Sequence, residues 1–536
     1  MRQRITYILP EGTGVDPADI NTGKDHLTFA KANNAAVERR ITLGLIELPH
    51  LIQAILQDFH ELHIRIVSPR NQATFSPAVS TLPPGLHAFF TPPTREGTLE
   101  NNFCFELALL LGVNIETLIC SSEPGSFPRL PVLSERFSSS STYQYYHGVD
   151  DLAIISKRIA EEHCPGLHVA STSGQLCKIL ADAGDAAYVD YDFDVINHAV
   201  TISILSAPSD YVEQGVESGK AHKLQPDDRL EVGVLSPENA DEPEELKMGG
   251  YLTVVGEDEK PSATLFSFPA RHHPLPKGDL TTYTTGFRKP SGLHPKLDIT
   301  FPAKDLKPPK PESCALHAYW TTPSTLFLDR YQLDDELFLA SQNLKALRAL
   351  SGEEDLEAPH WAVDQWGFAA LIELAAPAAN DRLKDTWTVT VPTHLRYLNA
   401  SASATGHTHI DVAWPIVFWA CEAEEGLKMS TNPFDRVNLG YDGLFGPKTM
   451  FYHVPASVDR ERLVEQLRVP VLDPSQAAWI PFGTLIAVLV GFGWVCWKLF
   501  GGKQAPVVHS NGAGDVTRES ETTKATSTGS DVKTTT

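Results

Sequence analysis

The last hundred residues hold the clearest hydrophobic pattern. From Ile480 to Trp497 no charged residue occurs, and with its flanks the apolar run extends over Trp479–Phe500. That meets the roughly 20 residues a bilayer core requires, and predicts one membrane-spanning helix. Its Leu, Ile, Phe and Val residues favour insertion by about 3 to 5 kcal/mol before the polar positions are counted. Trp479 and Phe482 mark one interface; Trp494, Trp497 and Phe500 mark the other. Upstream the periodicity changes. Leu152, Ile155 and Ile159 recur on one helical face. Ala199–Leu205 alternates as a strand does, and Tyr251–Val255 with Ala263–Phe268 reads as a hairpin around the acidic loop GEDEKPS. Pro, Gly and charge are concentrated in 206–250 and 269–313, which predicts a boundary near residue 280.

Beyond it the pattern is mostly strand-like. In Thr386–Leu398, Trp387, Val389, Val391, Leu395 and Tyr397 share one face, and Thr388, Thr390, His394 and Arg396 the other. Pro392 cannot donate to a ladder, so this strand is an edge or is bulged there. Ile410–Cys421 is apolar on both faces and reads as one buried strand. Leu333–Leu350 reads as one helix with Asp334 near its cap, followed by a solvated loop at 351–356. The expected fold class is α+β and β-dominated: a mixed α/β domain (1–280), a β-sandwich-like domain (281–455), a charged connector (456–478), the spanning helix (479–500) and a Ser/Thr-rich disordered tail (501–536).

Net charge is −23, which argues against nucleic acid as a partner, because phosphate binding needs a basic footprint. The opening MRQRITYILPEGTGVD has no apolar stretch before Pro10 and Glu11, so it does not read as a signal peptide. Lys498 and Lys503 follow the helix directly, whereas Asp473 and Arg468 are the closest charges before it. By the positive-inside rule the tail is cytosolic and the large N-terminal part lumenal or external. The sequon Asn399–Ala400–Ser401 agrees with that side. Of seven cysteines, Cys496 lies in the span. The other six are free to pair in an oxidising compartment, but no spacing forces a bridge, and no CxxC suggests zinc.

Two constellations bear on chemistry. Asp190, Asp192 and Asp194 form a DxD-like run whose carboxylates share one strand face. It reads more readily as an acidic solvent face than as a sugar-donor site. His407, His409 and Asp411 form an HxHxD that would suit a metal-dependent hydrolase tethered to a membrane. Such a site needs further ligands downstream, and only His453 and His509 remain there. No GxSxG occurs, and the adjacent His163–Cys164 pair points apart on any regular element. His394 and Arg396 suit an anion or partner carboxylate equally well as a neighbouring strand's Asp or Glu. No cofactor or metal follows from these residues.

Four segments occur in order ahead of the span: GLHPKLDITF (292–301), CALHAYWTTPSTLFLDRYQL (314–333), VPTHLRYL (391–398) and WPIVFWAC (414–421). Their arrangement resembles the PIG-X/Pbn family, and the long N-terminal part resembles its fungal members. The most specific elements are Pro392, His394, Arg396 and Tyr397, then Pro323, Ser324, Asp329, Tyr331 and Leu333. Relative to shorter relatives, 335–385 reads as an insertion. The resemblance implies a non-catalytic subunit in the endoplasmic reticulum membrane. It would stabilise the polytopic catalytic subunit of GPI mannosyltransferase I, which adds the first mannose to GPI anchor precursors, with a possible broader chaperone-like role. Gly483, Ala487 and Gly491 recur every four residues on the span, where small side chains let a partner helix approach.

Overall fold

A computed structural model describes most of residues 2–500. The longer stretches outside the description are 92–102, 130–141, 165–171, 208–221, 239–246, 256–262 and 424–438, with several shorter ones and everything from 501 onward. The predicted disordered tail therefore lies outside the described residues. The chain divides into two compact units, Met1–Pro474 and Ser475–Thr536.

The first unit begins with a ten-stranded sheet. Its strands in chain order are β1 (Arg2–Ile8), β2 (Ala36–Gly44), β3 (Glu61–Val67), β4 (Gly85–Thr91), β5 (Tyr143–His147), β6 (Tyr188–Asp194), β7 (Ala199–Ser206), β8 (Arg229–Pro237), β9 (Lys247–Val255) and β10 (Thr264–Pro269). Across the sheet they run β10-β9-β8-β1-β2-β7-β6-β3-β4-β5, and only β1 and β8 pair in parallel. The predicted hairpin is β9–β10, paired from Lys247 with Pro269 to Leu252 with Thr264. Helices α1 (His50–Leu56), α2 (Phe103–Leu111), α3 (Leu152–His163) and α4 (Thr172–Ala181) contribute residues to the same apolar core as β2–β7. Asp151 caps α3 by accepting from the Ala153 amide at 2.9 Å, and Leu152 and Ile159 are buried as their spacing predicts.

Besides this sheet, Ile20–Thr22, His26–Phe29 and His222–Lys223 form a small three-stranded one. The strands after residue 270 are β11 (His272–Pro274), β12 (Thr284–Phe287), β13 (Lys296–Pro302), β14 (Cys314–Pro323), β15 (Leu326–Phe327), β16 (Leu344–Gly352), β17 (Gly367–Leu374), β18 (Thr386–Pro392), β19 (His394–Leu395), β20 (His407–Ala413), β21 (Ile416–Glu422), β22 (Thr449–Val454) and β23 (Val464–Pro470). Six form a sheet in the order β11-β22-β21-β14-β17-β16, and three form a sheet in the order β12-β13-β18. Leu316, Ala318 and Trp320 of the first and Leu297, Ile299, Val389 and Val391 of the second share one core. This is the expected sandwich, and the fold is α+β with strands dominant.

The six-stranded sheet is buried on its other face too. Tyr319, Ala369, Leu371 and Phe418 alternate with the sandwich residues and join the core of the ten-stranded sheet. Gln144 of β5 donates to the Tyr319 hydroxyl at 3.2 Å, and the Trp366 indole donates to the Gln144 carbonyl at 2.7 Å. Thus the sheets change over between Pro269 and His272, near the expected boundary, while the apolar core continues across it. Every residue of β17 is buried, as suits a strand covered on both sides. Gly367 opens it at φ 153°, where a Cβ would collide with the Thr322 carbonyl.

Several expectations need correction. Leu333–Leu350 is not one helix. Asp335, not Asp334, caps a short helix α5 (Glu336–Ser341), accepting from the Leu337 amide at 2.9 Å and the Phe338 amide at 3.2 Å. Asn343 at φ 57° then turns the chain, and the helix-favouring Leu-Lys-Ala-Leu-Arg run becomes edge strand β16 with two register shifts. Pairing with β17 overrides local propensity here. The stretch 335–385 thereby supplies two strands of the central sheet. Ile410–Cys421 is two strands, because Trp414–Pro415 breaks the ladder and carries the chain from the partner of β20 to those of β21. The segment 456–478 is more than a connector, since β23 within it pairs along the whole of β20.

Cysteines pair as 104–120, 164–177 and 314–421, the last joining β14 to β21 at directly opposed positions. The second unit holds α6 (Trp479–Phe500), a 22-residue helix of mean hydropathy 1.9 over its most apolar window. One such helix fits a single-pass membrane protein.

Candidate interaction site

The four motif segments converge. β15 pairs with β19, setting Leu326 opposite Leu395 and Phe327 opposite His394. The Leu395 amide donates to the Leu293 carbonyl at 3.0 Å, and the Thr393 hydroxyl to the Pro295 carbonyl at 2.8 Å. Those contacts bring GLHPKLDITF to VPTHLRYL. The Trp320 indole donates to the Ala413 carbonyl at 2.8 Å, just ahead of WPIVFWAC. β18 lies at the edge of its sheet and ends at Pro392. The chain restarts at His394 on a different partner.

Leu395 is buried as expected, but beyond it the restart exchanges the expected sides of Arg396 and Tyr397. Arg396 is only 2% exposed, whereas Tyr397 is 63% exposed. Burial and the loss of the ladder at Pro392 set the phase, not the continuous period of two read from sequence. The Arg396 guanidinium lies 4.4 Å over the Phe327 ring and donates through Nη1 to the Ala358 carbonyl at 2.8 Å. Burial lowers its pKa, which Glu353 and Asp355 partly offset. His394 stacks on the other motif through Phe327, with ring centroids 5.1 Å apart. Its Nδ1 lies 2.9 Å from His294 Nδ1, and its Nε2 lies 3.3 Å from Gln332 Oε1. Burial, then the neighbouring His294, holds His394 below the usual imidazole range. Asp329 accepts from the Tyr331 amide at 2.9 Å and the Gln332 amide at 3.2 Å, a turn that leaves Tyr331 exposed. Ser324 Oγ lies 3.0 Å from His360 Nδ1, and the His360 amide donates to the Tyr397 carbonyl at 3.0 Å, which places the exposed Trp361 on the same corner. The motif residues are thus a packed corner whose outward features are Tyr331, Trp361 and Tyr397. Amphipathic aromatics of this kind favour recognition by a partner.

The other sequence candidates fall elsewhere. Asp190, Asp192 and Asp194 do share a face of β6, but Asp190 is buried. Arg65 grips it with Nε–Oδ1 at 2.7 Å and Nη2–Oδ2 at 2.6 Å, and also donates to the Ser80 carbonyl and hydroxyl at 2.8 and 2.9 Å. His63 Nδ1 lies 3.2 Å from Asp192, and Asp194 accepts from the Ile196 amide at 2.7 Å in a turn. The run is therefore an interior ion pair grading into a turn, rather than the acidic solvent face expected. His407, His409 and Asp411 share the outer face of β20, and His407 Nδ1 lies 2.9 Å from Arg468 Nη2. Among the described residues no three His, Cys, Asp or Glu side chains converge as metal ligands, so the hydrolase reading gains no support. Asn399 is exposed beside this edge, with the Ser401 amide donating to the Leu472 carbonyl at 3.0 Å. Gly483, Ala487 and Gly491 are spaced along α6 as predicted from the sequence.

One polar cluster escaped the sequence reading, because Arg271, His272 and His273 sit in a stretch whose Pro, Gly and charge content suggested a domain boundary. They lie on and just before β11 and are buried. His272 Nδ1 is 2.9 Å from His453 Nε2, and its Nε2 is 3.2 Å from Asp442 Oδ1. Arg271 donates to the Gly446 carbonyl at 3.0 Å and lies 3.7 Å from Asp442. Burial pushes the Asp442 carboxyl up, but His272 and Arg271 outweigh it and hold it below the usual range. Burial, then His272, drives His453 well down and His273 down to about 3.

With the geometry in hand, comparison with known proteins identifies the class. The PIG-X / PBN1 family profile matches residues 290–500. The chain is 42% identical to "Protein pbn1" of Emericella nidulans over 519 residues, covering 93% of this chain and 95% of the relative. It is 42% identical to "Protein pbn1" of Neurospora crassa over 506 residues, covering 94% and 95%. To "Protein PBN1" of Saccharomyces cerevisiae it is 27% identical over 320 residues, covering 58% of this chain and 67% of the relative. The chain belongs to the PIG-X / PBN1 family, as its motifs suggested. Membership supports a role in GPI-anchor biosynthesis as an accessory chain.

Two outcomes follow. Replacing Asp190 with Asn strands Arg65 in the core and should cost about 3–5 kcal/mol in urea unfolding, whereas His409→Ala with Asp411→Asn should change stability by under about 0.5 kcal/mol. Buried imidazoles also set a pH dependence. His87 and His317 are held down to about 4 and His273 to about 3, chiefly by burial. In the unfolded chain each titrates near 6.5. Below that pH the unfolded state binds more protons, so their contribution to stability is full above 6.5 and falls as pH drops towards 3–4. Glu106, raised to about 8 by burial and then Asp58, opposes them with at most one proton. The urea midpoint should therefore fall from pH 7 to pH 5, by on the order of 1.4 kcal/mol per pH unit for each net proton.

Proposed function

We propose that this chain is a non-catalytic subunit that stabilises the polytopic catalytic subunit of GPI mannosyltransferase I in the endoplasmic reticulum membrane. The observation that carries the proposal is the match along nearly the full length of the fungal pbn1 relatives. The motif corner agrees with it. The most specific family residues build structure and offer exposed aromatics, while Asp329 is occupied in a turn, His360 in a hydrogen bond and His394 in a stack. A broader chaperone-like role for other proteins of that compartment is part of the same proposal.

Lumenal placement of the folded unit draws support from three disulfides, which persist in oxidising compartments. An exposed Asn399 and the cationic Lys498 at the end of α6 agree with it. In the membrane, the face of Gly483, Ala487 and Gly491 would meet the partner's helices, since small residues let backbones approach in lipid. The division into 1–280 and 281–455 is kept here as two roles within one unit: a support and a docking half.

The test is co-purification. Tyr331→Ala with Tyr397→Ala should leave this chain's abundance unchanged and lower recovery of the mannosyltransferase by about tenfold, the loss of roughly 1.4 kcal/mol of contact. Gly483→Leu with Gly491→Leu should act in the same direction. Asp190→Asn, His407→Ala and His409→Ala should leave mannosyl transfer per molecule of complex unchanged. Turnover lost at normal complex abundance would identify an enzyme instead. Endoglycosidase should shift the mobility of wild type but not of Asn399→Gln; no shift in either would remove the support for a lumenal unit.

A further inference from the structure

Among the described residues, the helices leave a gap over the ten-stranded sheet. Beneath α1, α3 and α4 lies a cavity of about 760 Å3. Ile64, Phe193 and Ile202 form its floor on the sheet, and Leu56, Ile159 and Leu180 its walls on the helices. All six are buried. Among the described lining residues the polar side chains are Tyr191, whose hydroxyl pKa is raised by burial, and, where the lining reaches the surface, exposed Glu47 and Glu162 and half-buried His163 and Asp192. Protein interiors are packed like organic crystals, and a void deprives its lining of dispersion contacts. The space opens to the surface at its mouth, so its apolar lining is either wetted or covered by an apolar ligand. Water fills such a space poorly, because an ordered water needs several polar partners. The volume falls within the range of about 300–1,000 Å3 typical of small-molecule sites.

We propose that this cavity binds the hydrocarbon chain of a membrane lipid whose headgroup is uncharged or carries an amine. Apart from the Tyr191 hydroxyl the described walls are apolar, so the ligand is apolar along most of its buried length. No lysine or arginine lines the cavity among the described residues, and three carboxylates stand at its mouth. An anionic phosphate head there would be unpaired beside like charge. The segment framing the mouth carries Ile46 and Leu51 exposed to solvent, which gives it an apolar edge for contact with a bilayer surface. A chain with an apolar helix of membrane-spanning length meets lipid as its most abundant apolar solute. The site is independent of the accessory-subunit proposal, since none of its residues belongs to the motif corner or to α6.

The experiment uses the full chain in phosphatidylcholine nanodiscs and a monoacylglycerol with a photoactivatable diazirine at the chain terminus. Crosslinks are expected on the peptides containing Ile64, Ile159 and Leu180, saturating at one per protein. Unlabelled monopalmitoylglycerol should compete at least tenfold better than lysophosphatidic acid of the same chain length. Ile52→Trp with Leu176→Trp, two partly buried wall residues enlarged into the space, should cut labelling at least tenfold and leave the urea midpoint equal or raised. Labelling confined to Trp479–Phe500 would overturn the site, and so would equal labelling of the filled variant. A lowered midpoint in that variant, with no wild-type label on the three peptides, would mean that the chain's own residues fill the space. Lysophosphatidic acid competing as well as monopalmitoylglycerol would overturn the headgroup assignment.

Discussion

The structure depends on a single sheet that is buried on both faces. In β14, Leu316, Ala318 and Trp320 point into the sandwich while Tyr319 points into the core of the ten-stranded sheet. β17 alternates in the same way, with Phe368, Ala370 and Ile372 on one side and Ala369 and Leu371 on the other. A sheet of this kind cannot be left with one face in water, because the exposed apolar area would forfeit about 25 cal/mol per Å2. The family-specific half therefore requires the preceding residues as cover. Gln144 and Trp366 fix that contact through hydrogen bonds that are satisfied only when the two sheets meet.

This constraint gives the first 270 residues a physical reason to exist that no motif supplied. They are half of a core and hold the cavity proposed to seat a lipid chain. It also accounts for the character of the polar groups. Arg65 with Asp190, Arg271 with Asp442, and Arg348 with Glu373 are charges drawn into or against a doubly covered layer, and each is paired. The first and last each tie neighbouring strands of one sheet together, and Arg271 ties the start of an edge strand to a turn. The chemistry left outward is aromatic and acidic, which suits association with other molecules.

How much of this was legible in the sequence follows from the range of the interactions involved. The spanning helix, the α3 face, the β9–β10 hairpin and the strand at Ala199–Ser206 are local patterns, and local periodicity is enough to find them. The failures were tertiary. The Leu344–Gly352 run favours helix by composition but is claimed by β17, and Asn343 in the left-handed region makes the turn that permits it. Trp414–Pro415 reads as the middle of an apolar strand, yet it is where the chain changes sheets. Arg396 lies inside and Tyr397 outside because the ladder restarts after Pro392. The burial of Arg271, His272 and His273 leaves no local signature, since Pro and charge look the same at a domain boundary as in a short edge strand. The family motifs were readable as a resemblance, but their meeting at one corner through β15 and β19 was not.

The shared core should make the two halves one cooperative body. Hydrogen exchange on the full chain, followed along a urea gradient, tests it directly. The amides of β7 (Ala199–Ser206), deep in the ten-stranded sheet, and of β17 (Gly367–Leu374), at the centre of the sandwich, should lose protection at the same urea concentration and with the same dependence on it. If β7 opens at a clearly lower urea concentration while β17 stays protected, the first 270 residues are a separate domain leaning on the family core, and the shared-core account is wrong.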